Sequence, residues 1–106
     1  MFSWKPITAE EFHALYAEQY EELNEDEREW FNPFRVDFWR AIIRRSKQMG
    51  DEHVFVVAQL NSEVLYFDDV EYGFNVSEVD EFGRILTPGG SQDSLKGALL
   101  QWLPKG

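Results

Sequence analysis

The amino-acid sequence predicts one α+β domain over residues 1–106. It comprises N-terminal helices, a three- to four-stranded antiparallel meander, and a C-terminal helix packed on one face of the sheet. Apolar residues recur at helical spacing up to about residue 50 and at strand spacing beyond it. Residues that favour turns separate the later apolar segments at the short intervals typical of hairpins. Because helices and strands are segregated along the chain, the α+β class is favoured over a parallel α/β sheet.

The first helix is predicted at about residues 9–22. Thr8 can cap its N-terminus, and Glu11 stands three residues later, where its side chain can complete a capping box. Ile7 can pack against Phe12 as a hydrophobic staple. One face of this helix is apolar at helical spacing and carries Phe12, Leu15, Tyr16, Tyr20 and Leu23.

Two further helices are predicted before residue 50. Asn24 as cap, with Glu27 three residues later, predicts a helix of about two turns. Asn32 as cap, with Pro33 at the first helical position, predicts a third helix that ends at Gly50. The apolar stripe of the third helix is Phe34, Phe38, Trp39, Ile42 and Ile43, and its last turn carries Arg44, Arg45 and Lys47, which suit the helix dipole.

The predicted sheet begins after the third helix. Residues 53–60 are apolar at both alternating positions, which is typical of a strand covered on both faces. Asn61 and Ser62 predict a hairpin turn into a strand at 63–67. Gly83 can supply the positive φ that a later hairpin at 79–86 requires. Between these two hairpins the chain alternates, with Val70, Tyr72, Phe74 and Val76 on one face and Glu71, Gly73, Asn75 and Ser77 on a face expected to be at least partly open.

A closing amphipathic helix is predicted from Leu95 to Leu103. Ser91 or Asp93 is expected to cap its N-terminus. The predicted core draws on every element and comprises Phe12, Leu15, Trp39, Ile42, Val54, Val56, Phe74, Val76, Leu99 and Trp102.

Charge is distributed unevenly along the chain. The net charge is −10, from 20 acidic and 10 basic residues, and no Lys or Arg occurs between Gln48 and Gly83. This acidic interval coincides with the predicted sheet, whereas the predicted third helix is basic. Opposite charges on neighbouring strands stabilise a sheet and like charges destabilise it, so a sheet of one sign forgoes some stability. The acids of the interval are Asp51, Glu52, Glu63, Asp68, Asp69, Glu71, Glu78, Asp80 and Glu81.

We interpret the acidic interval as a surface that docks a basic protein partner. Its field steers cations toward the protein and repels nucleic acid and anionic membranes. Aromatic side chains in the interval would add apolar contacts, because charge governs association rate and specificity more than affinity. The residues expected to contact the partner are Asp68, Asp69, Glu71, Tyr72, Glu78, Asp80, Glu81 and Tyr66, with Phe82 as a further anchor.

Three alternative interpretations of the acidic interval stay open. It can be a solvated face that keeps the protein soluble and discourages edge-to-edge pairing. It can hold a catalytic or small-ligand site near Asp68, Asp69 and Glu71, although adjacent strand residues point their side chains apart. It can also mimic nucleic acid, which requires carboxylates at phosphate-like spacing along one side.

The sequence contains no motif that predicts an enzyme, a metal or a cofactor. Cysteine is absent, which excludes thiolate chemistry. His13 and His53 lack the spacing of a zinc site, and the segment 68–73 lacks the alternating ligands of a calcium loop. The segment 87–94 places glycines before a helix but lacks the Lys of a phosphate-binding loop. We therefore expect no catalytic residue and no cofactor.

The start of the chain lacks the apolar run of a secretory signal, so we expect a cytoplasmic protein. In size and charge the chain is similar to small acidic inhibitor and immunity proteins, which block basic enzymes such as nucleases. This similarity concerns composition only and transfers no site residue. An inhibitor or immunity protein is therefore one form of the interaction module predicted here.

Overall fold

The computed structural model describes residues 7–46, 50–89 and 92–102 and has the predicted α+β order. Two helices and a 3₁₀ turn precede four strands, and one helix follows them. The elements are α1 (Ala9–Glu21), α2 (Glu25–Phe31), a 3₁₀ turn (Asn32–Phe34), β1 (Arg35–Ser46), β2 (Gly50–Leu60), β3 (Glu63–Asp68), β4 (Gly73–Glu78) and α3 (Leu95–Trp102).

The predicted starts of α1 and α2 are confirmed. The Thr8 hydroxyl accepts a hydrogen bond from the Glu11 N–H, and the Glu11 carboxylate accepts one from the Thr8 N–H, both at 3.1 Å. Hydrogen bonding of the Glu11 carboxylate to the Thr8 backbone, and secondarily to the Thr8 side chain, lowers the pKa of Glu11. Asn24 and Glu27 form the same reciprocal pair at 2.8 Å. Local side-chain chemistry thus fixes both helix starts.

The predicted third helix is wrong: residues Arg35–Ser46 form β1 instead. Phe38, Trp39, Ile42 and Ile43 recur at helical spacing, but they also fall on both faces of a strand. Aromatic and β-branched side chains favour strands, particularly where the two faces are both covered. The predicted basic last turn therefore belongs to a strand as far as Ser46, while Lys47 lies outside the described residues.

The four strands form one antiparallel sheet in the order β1-β2-β3-β4. The predicted turn between β2 and β3 is confirmed, and Asn61 adopts a φ of 56° there. β2 pairs with β1 from Gly50 but with β3 only from Phe55. The β1–β2 hairpin therefore extends beyond the four-stranded part of the sheet.

One face of the sheet carries the helices and an aromatic core, which we call the helix-side core. Phe12 of α1 lies at its centre, with ring centroids 4.6 Å from Phe55, 5.3 Å from Phe38 and 5.4 Å from Phe67. The Gln19 side chain of α1 accepts a 2.7 Å hydrogen bond from the Leu95 N–H, so α1 holds the start of α3. The remaining buried members are Tyr16, Leu23, Phe31, Val57, Ala58, Leu65, Phe74, Leu95, Ala98 and Leu99.

The N-terminal cap of α3 is Ser94, whose hydroxyl accepts from the Gly97 N–H at 3.1 Å. The prediction of Asp93 is wrong, because the Asp93 carbonyl accepts the Phe74 N–H at 2.8 Å and extends β4 at its outer edge. Ser91, the other predicted cap, and Leu103, the predicted helix end, lie outside the described residues.

The opposite face was expected to be partly open, and this is wrong. Asn75 and Ser77 are buried there. The chain after the 79–86 hairpin crosses this face, and the Ser77 hydroxyl accepts the Thr87 N–H at 2.9 Å. Ile85 of that hairpin packs into a second cluster, the hairpin-side core. Its other buried members are Ala41, Ile43, Val54, Val56, Val64 and Tyr66.

Backbone hydrogen bonds attach the 79–86 hairpin at both ends. The Val79 N–H donates to the Ser62 carbonyl at 2.8 Å, next to the end of β4. On the outer edge of β1, the Ile42 N–H donates to the Gly83 carbonyl and the Ile85 N–H donates to the Ile42 carbonyl, both at 2.8 Å. The hairpin therefore links the end of β4 to the outer edge of β1.

The predicted core is largely confirmed. Five of its members are buried and the other five are half-buried. The buried members are Phe12, Val54, Val56, Phe74 and Leu99, and the half-buried members are Leu15, Trp39, Ile42, Val76 and Trp102. No helix in the described segments is long and apolar enough to cross a membrane.

Candidate functional site

The two adjacent aspartates of the predicted site serve the fold. Asp68 is fully buried, and its carboxylate accepts the N–H groups of Val70 at 2.9 Å and Glu71 at 3.4 Å. These bonds shape the turn between β3 and β4. The Asp69 carboxylate accepts the Ile7 N–H at 2.8 Å and so ties the entry of α1 to this turn. Both acids therefore have structural roles that explain their presence.

Tyr66 has no exposed surface. It lies in the hairpin-side core, where its hydroxyl accepts the Gly89 N–H at 3.1 Å. A protein partner does not reach this side chain in the folded state, so Tyr66 does not belong to the docking surface.

Glu71 and Tyr72 lie in the turn that Asp68 shapes. Tyr72 is 62% exposed and adopts a φ of 59°, which is uncommon for an aromatic residue. Its ring packs edge-on against Phe67, with centroids 5.4 Å apart. Five strand residues, roughly 17 Å of chain, separate this turn from Glu78, the first of the other predicted acids.

Those other acids gather at the opposite end of β4. Glu63 opens β3 and stands directly across from Glu78, the last residue of β4, and both are exposed. Asp80 and Glu81 follow at once in the 79–86 hairpin. The carboxylate of Asp80 accepts the Phe82 and Arg84 N–H groups, at 2.9 Å and 3.0 Å. We call Glu63, Glu78, Asp80 and Glu81 the acidic end.

Exposed apolar side chains adjoin the acidic end. Phe82 is 66% exposed and Leu86 is 51% exposed. The Leu86 N–H donates to the Glu78 carbonyl at 2.9 Å, so Leu86 lies beside the last residue of β4. Arg84 lies over the Phe82 ring at 5.2 Å and pairs loosely with Asp80 at 3.9 Å. Acid and apolar surface thus occur together on one hairpin.

The sequence had suggested a sheet whose charged residues are all acidic. The structure differs, because the basic segment forms β1. Arg35, Arg40 and Arg44 are exposed along this edge strand. The acidic end belongs to β3, β4 and the hairpin that follows. The sheet therefore carries arginines on β1 and acids at the ends of β3 and β4 and in the hairpin, where Arg84 pairs with Asp80.

Sequence reasoning did not select Glu63 or Leu86 as site residues. The turn at 69–72 pairs Asp68 with Gly73, and the antiparallel register then places Glu63 opposite Glu78. Locating that turn correctly would have identified the pair. No pattern in the sequence indicates that Leu86 is exposed, because its exposure depends on how the hairpin packs.

In residues 7–46, 50–89 and 92–102, no group of three or more His, Asp and Glu side chains is placed to hold a metal ion. Comparison of the chain with protein-family models, with curated proteins and with solved structures found no match.

Proposed function

We propose that this protein is a small interaction module that docks a basic protein partner through its acidic end. The in-register pair of exposed glutamates, Glu63 and Glu78, carries the proposal. Inhibitor or immunity activity against a basic enzyme, in the cytoplasm, is the form that best suits the size and charge of the chain.

Like charges directly opposite each other destabilise an antiparallel sheet, by roughly 0.2–1 kcal/mol. Among the described residues neither Glu63 nor Glu78 forms an ion pair, and the sequence supplies no Lys or Arg from residue 48 to residue 83. The fold gains nothing from this arrangement. A cation from a partner would relieve the repulsion, so the pair favours binding of a basic surface.

Carboxylates alone give association rate and specificity, so an interface also needs apolar anchors. Phe82 and Leu86 provide them next to the acidic end. Phe82 is held in place because its N–H donates to Asp80 and Arg84 covers its ring. A pre-positioned aromatic side chain loses little conformational entropy on binding.

The test is a pull-down from host lysate at low and high salt, followed by kinetics with the captured protein. We expect a basic protein that is retained at low salt and released at high salt, because salt screens exposed charges. Reversing Glu63 and Glu78 to Lys should slow association about tenfold or more at low salt, since steering of this kind raises association rates by 10–10³-fold. Phe82→Ala should mainly speed dissociation.

Glu18→Lys is the matched control, because Glu18 is an exposed acid on α1, away from the acidic end. Glu18→Lys changes the net charge by the same amount as Glu63→Lys or Glu78→Lys does. If Glu18→Lys slowed association as much as either Glu63→Lys or Glu78→Lys, only net charge would matter. If none of the three altered binding, the acidic end would be a solvated surface and the proposal would fail.

A further inference from the structure

A cleft of about 590 Å³ lies on the helix side of the molecule, and none of the residues that line it belongs to the acidic end. It is formed by α1, the 3₁₀ turn and the first residues of β1. On α1 it is lined by His13, Tyr16 and Ala17, which share one helix face at i, i+3 and i+4 spacing.

The start of β1 contributes four consecutive residues to the cleft, 35–38. A regular strand would turn alternate side chains away. Here the pairing of β1 with β2 is irregular between Arg35 and Trp39, and such irregularities re-aim side chains. The irregularity therefore explains how Arg35, Val36, Asp37 and Phe38 all reach the cleft.

The Tyr16 hydroxyl is a buried donor without an acceptor. Tyr16 is 5% exposed, and among the described residues its hydroxyl has no acceptor for its proton. Burial raises the pKa of this phenol, and the nearby Arg35 charge offsets part of the rise. The phenol therefore keeps its proton at neutral pH. Arg35 offers only N–H donors, so it cannot accept that proton in a hydrogen bond.

Arg35 also lines the cleft, and no acidic side chain in the described segments forms an ion pair with it. Its guanidinium lies 5.3 Å from the centroid of the Tyr16 ring and 4.5 Å from that of the Tyr20 ring. The Tyr20 hydroxyl donates to the Asn32 side-chain oxygen at 2.9 Å, which leaves the Asn32 amide nitrogen as a further donor. Tyr16, Asn32 and Arg35, each with a hydrogen-bond donor, thus line the same cleft.

Asp37 supplies the opposite charge in the same cleft. Within the described residues Asp37 and Arg35 form no ion pair, although they are two residues apart on one strand. Phe38 and Val36 add half-buried apolar surface. The cleft therefore presents a cation with donors, a separate anion and an apolar wall.

We infer that this cleft binds a small zwitterion with an apolar side chain, of the α-amino acid class. Its carboxylate would accept from the Tyr16 hydroxyl and the Arg35 guanidinium, and its ammonium group would face Asp37. Its side chain would pack on Phe38. This inference is independent of the proposed docking function, because the two sites share no residue.

Calorimetric titration with L-phenylalanine tests the inference, with two truncated probes beside it. 3-Phenylpropanoate lacks the ammonium group, and 2-phenylethylamine lacks the carboxylate. We expect phenylalanine to bind with a Kd on the order of 1 mM, as its atom count allows. 3-Phenylpropanoate should bind more weakly, and 2-phenylethylamine should bind least.

Two variants test the carboxylate contacts. Arg35→Gln should weaken phenylalanine binding about tenfold or more, because a charge-assisted hydrogen bond is lost. Tyr16→Phe should weaken it about threefold to tenfold, because one neutral donor is lost. The matched controls are Arg84→Gln, another exposed arginine that covers an aromatic ring, and Tyr66→Phe, another buried tyrosine. Neither control should alter binding.

The inference is overturned if phenylalanine and 3-phenylpropanoate both fail to bind at millimolar concentration. It is also overturned if 2-phenylethylamine binds as well as phenylalanine, or if Arg35→Gln binds as the wild type does. Circular dichroism of each variant separates loss of the site from loss of folding. If Arg35→Gln does not fold, Arg35→Lys replaces it. Lysine keeps the positive charge but lacks the planar guanidinium group, so phenylalanine should bind with intermediate affinity.

Discussion

The two faces of the sheet are buried by different means. On one face, α1 and α3 cover a core in which aromatic rings pack around Phe12. On the other face, a hairpin of eight residues covers mainly aliphatic side chains, with Ile85 at its centre. The helix side is held by ring packing, whereas the hairpin side is held by a few backbone hydrogen bonds, the buried Ile85 and the half-buried Val79.

This difference in packing bears on the two proposed binding sites. A large packed core resists local opening, while a short hairpin with few buried contacts opens at a lower free energy. Asp80 and Glu81 of the acidic end belong to the hairpin, so that part of the partner surface is carried by the less strongly held element. Glu63 and Glu78 alternate with Leu65 and Val76 and lie at the end of the helix-side face. The amino-acid cleft belongs to the helix side, where Tyr16 and Phe38 are fixed by packing.

Removal of the central ring should have the largest effect on stability. Phe12→Ala leaves a cavity between Phe38, Phe55 and Phe67, and such changes cost about 3–5 kcal/mol. We expect loss of cooperative unfolding or a large fall in the urea midpoint. Phe82→Ala removes an exposed ring and should cost less than about 0.5 kcal/mol. Equal effects of the two variants would contradict the central role of Phe12.

Removal of the inserted side chain on the other face should have a smaller and more local effect. Ile85→Ala should cost about 2–4 kcal/mol. Amide exchange should rise at Ile42 and Ile85, whose N–H groups join the hairpin to β1, and change less at residues of α1. Leu86→Ala, the exposed neighbour, should leave exchange unchanged. Uniform exchange across the molecule would show that the two faces unfold together.

The elements predicted most accurately from the sequence are those with local signals. The capping boxes at Thr8 and Asn24 bind atoms within three residues, so the sequence contains the whole interaction. β1 could not be predicted in this way. The apolar residues of β1, among them Trp39 and Ile42, fall on both faces of the strand at intervals that fit a helix as well.

The candidate site was predicted only in part for a similar reason. In the sequence, Asp68 and Asp69 look like exposed acidic residues. In the structure, the Asp69 carboxylate accepts the N–H of Ile7, which lies 62 residues away in the chain. No local pattern signals that contact. The sequence shows that the segment Glu78–Glu81 is acidic. That Glu63 lies opposite Glu78 can be known only from the register of the sheet.

The smallest expected effect concerns Tyr16 at the edge of the helix-side core and depends on pH. The pKa of Tyr16 in the folded protein lies above its ordinary value of 10.0, because burial disfavours the phenolate. Below pH 10 the phenol is protonated in both states, and its contribution to stability is fully present. As pH rises through the folded pKa the unfolded chain binds fewer protons than the folded one, so this stability is lost.

Urea unfolding of the wild type and Tyr16→Phe, at pH 7 and between pH 10 and 11, measures this contribution. At pH 7 we expect the two proteins to differ by less than about 1 kcal/mol, because the deleted hydroxyl makes no hydrogen bond. Above pH 10 the wild type should lose stability more steeply than Tyr16→Phe. The two chains differ by one oxygen atom, so the other titrations largely cancel. Parallel curves above pH 10 would mean that Tyr16 is not buried as the structure has it, and the donor that defines the cleft would then be satisfied by water.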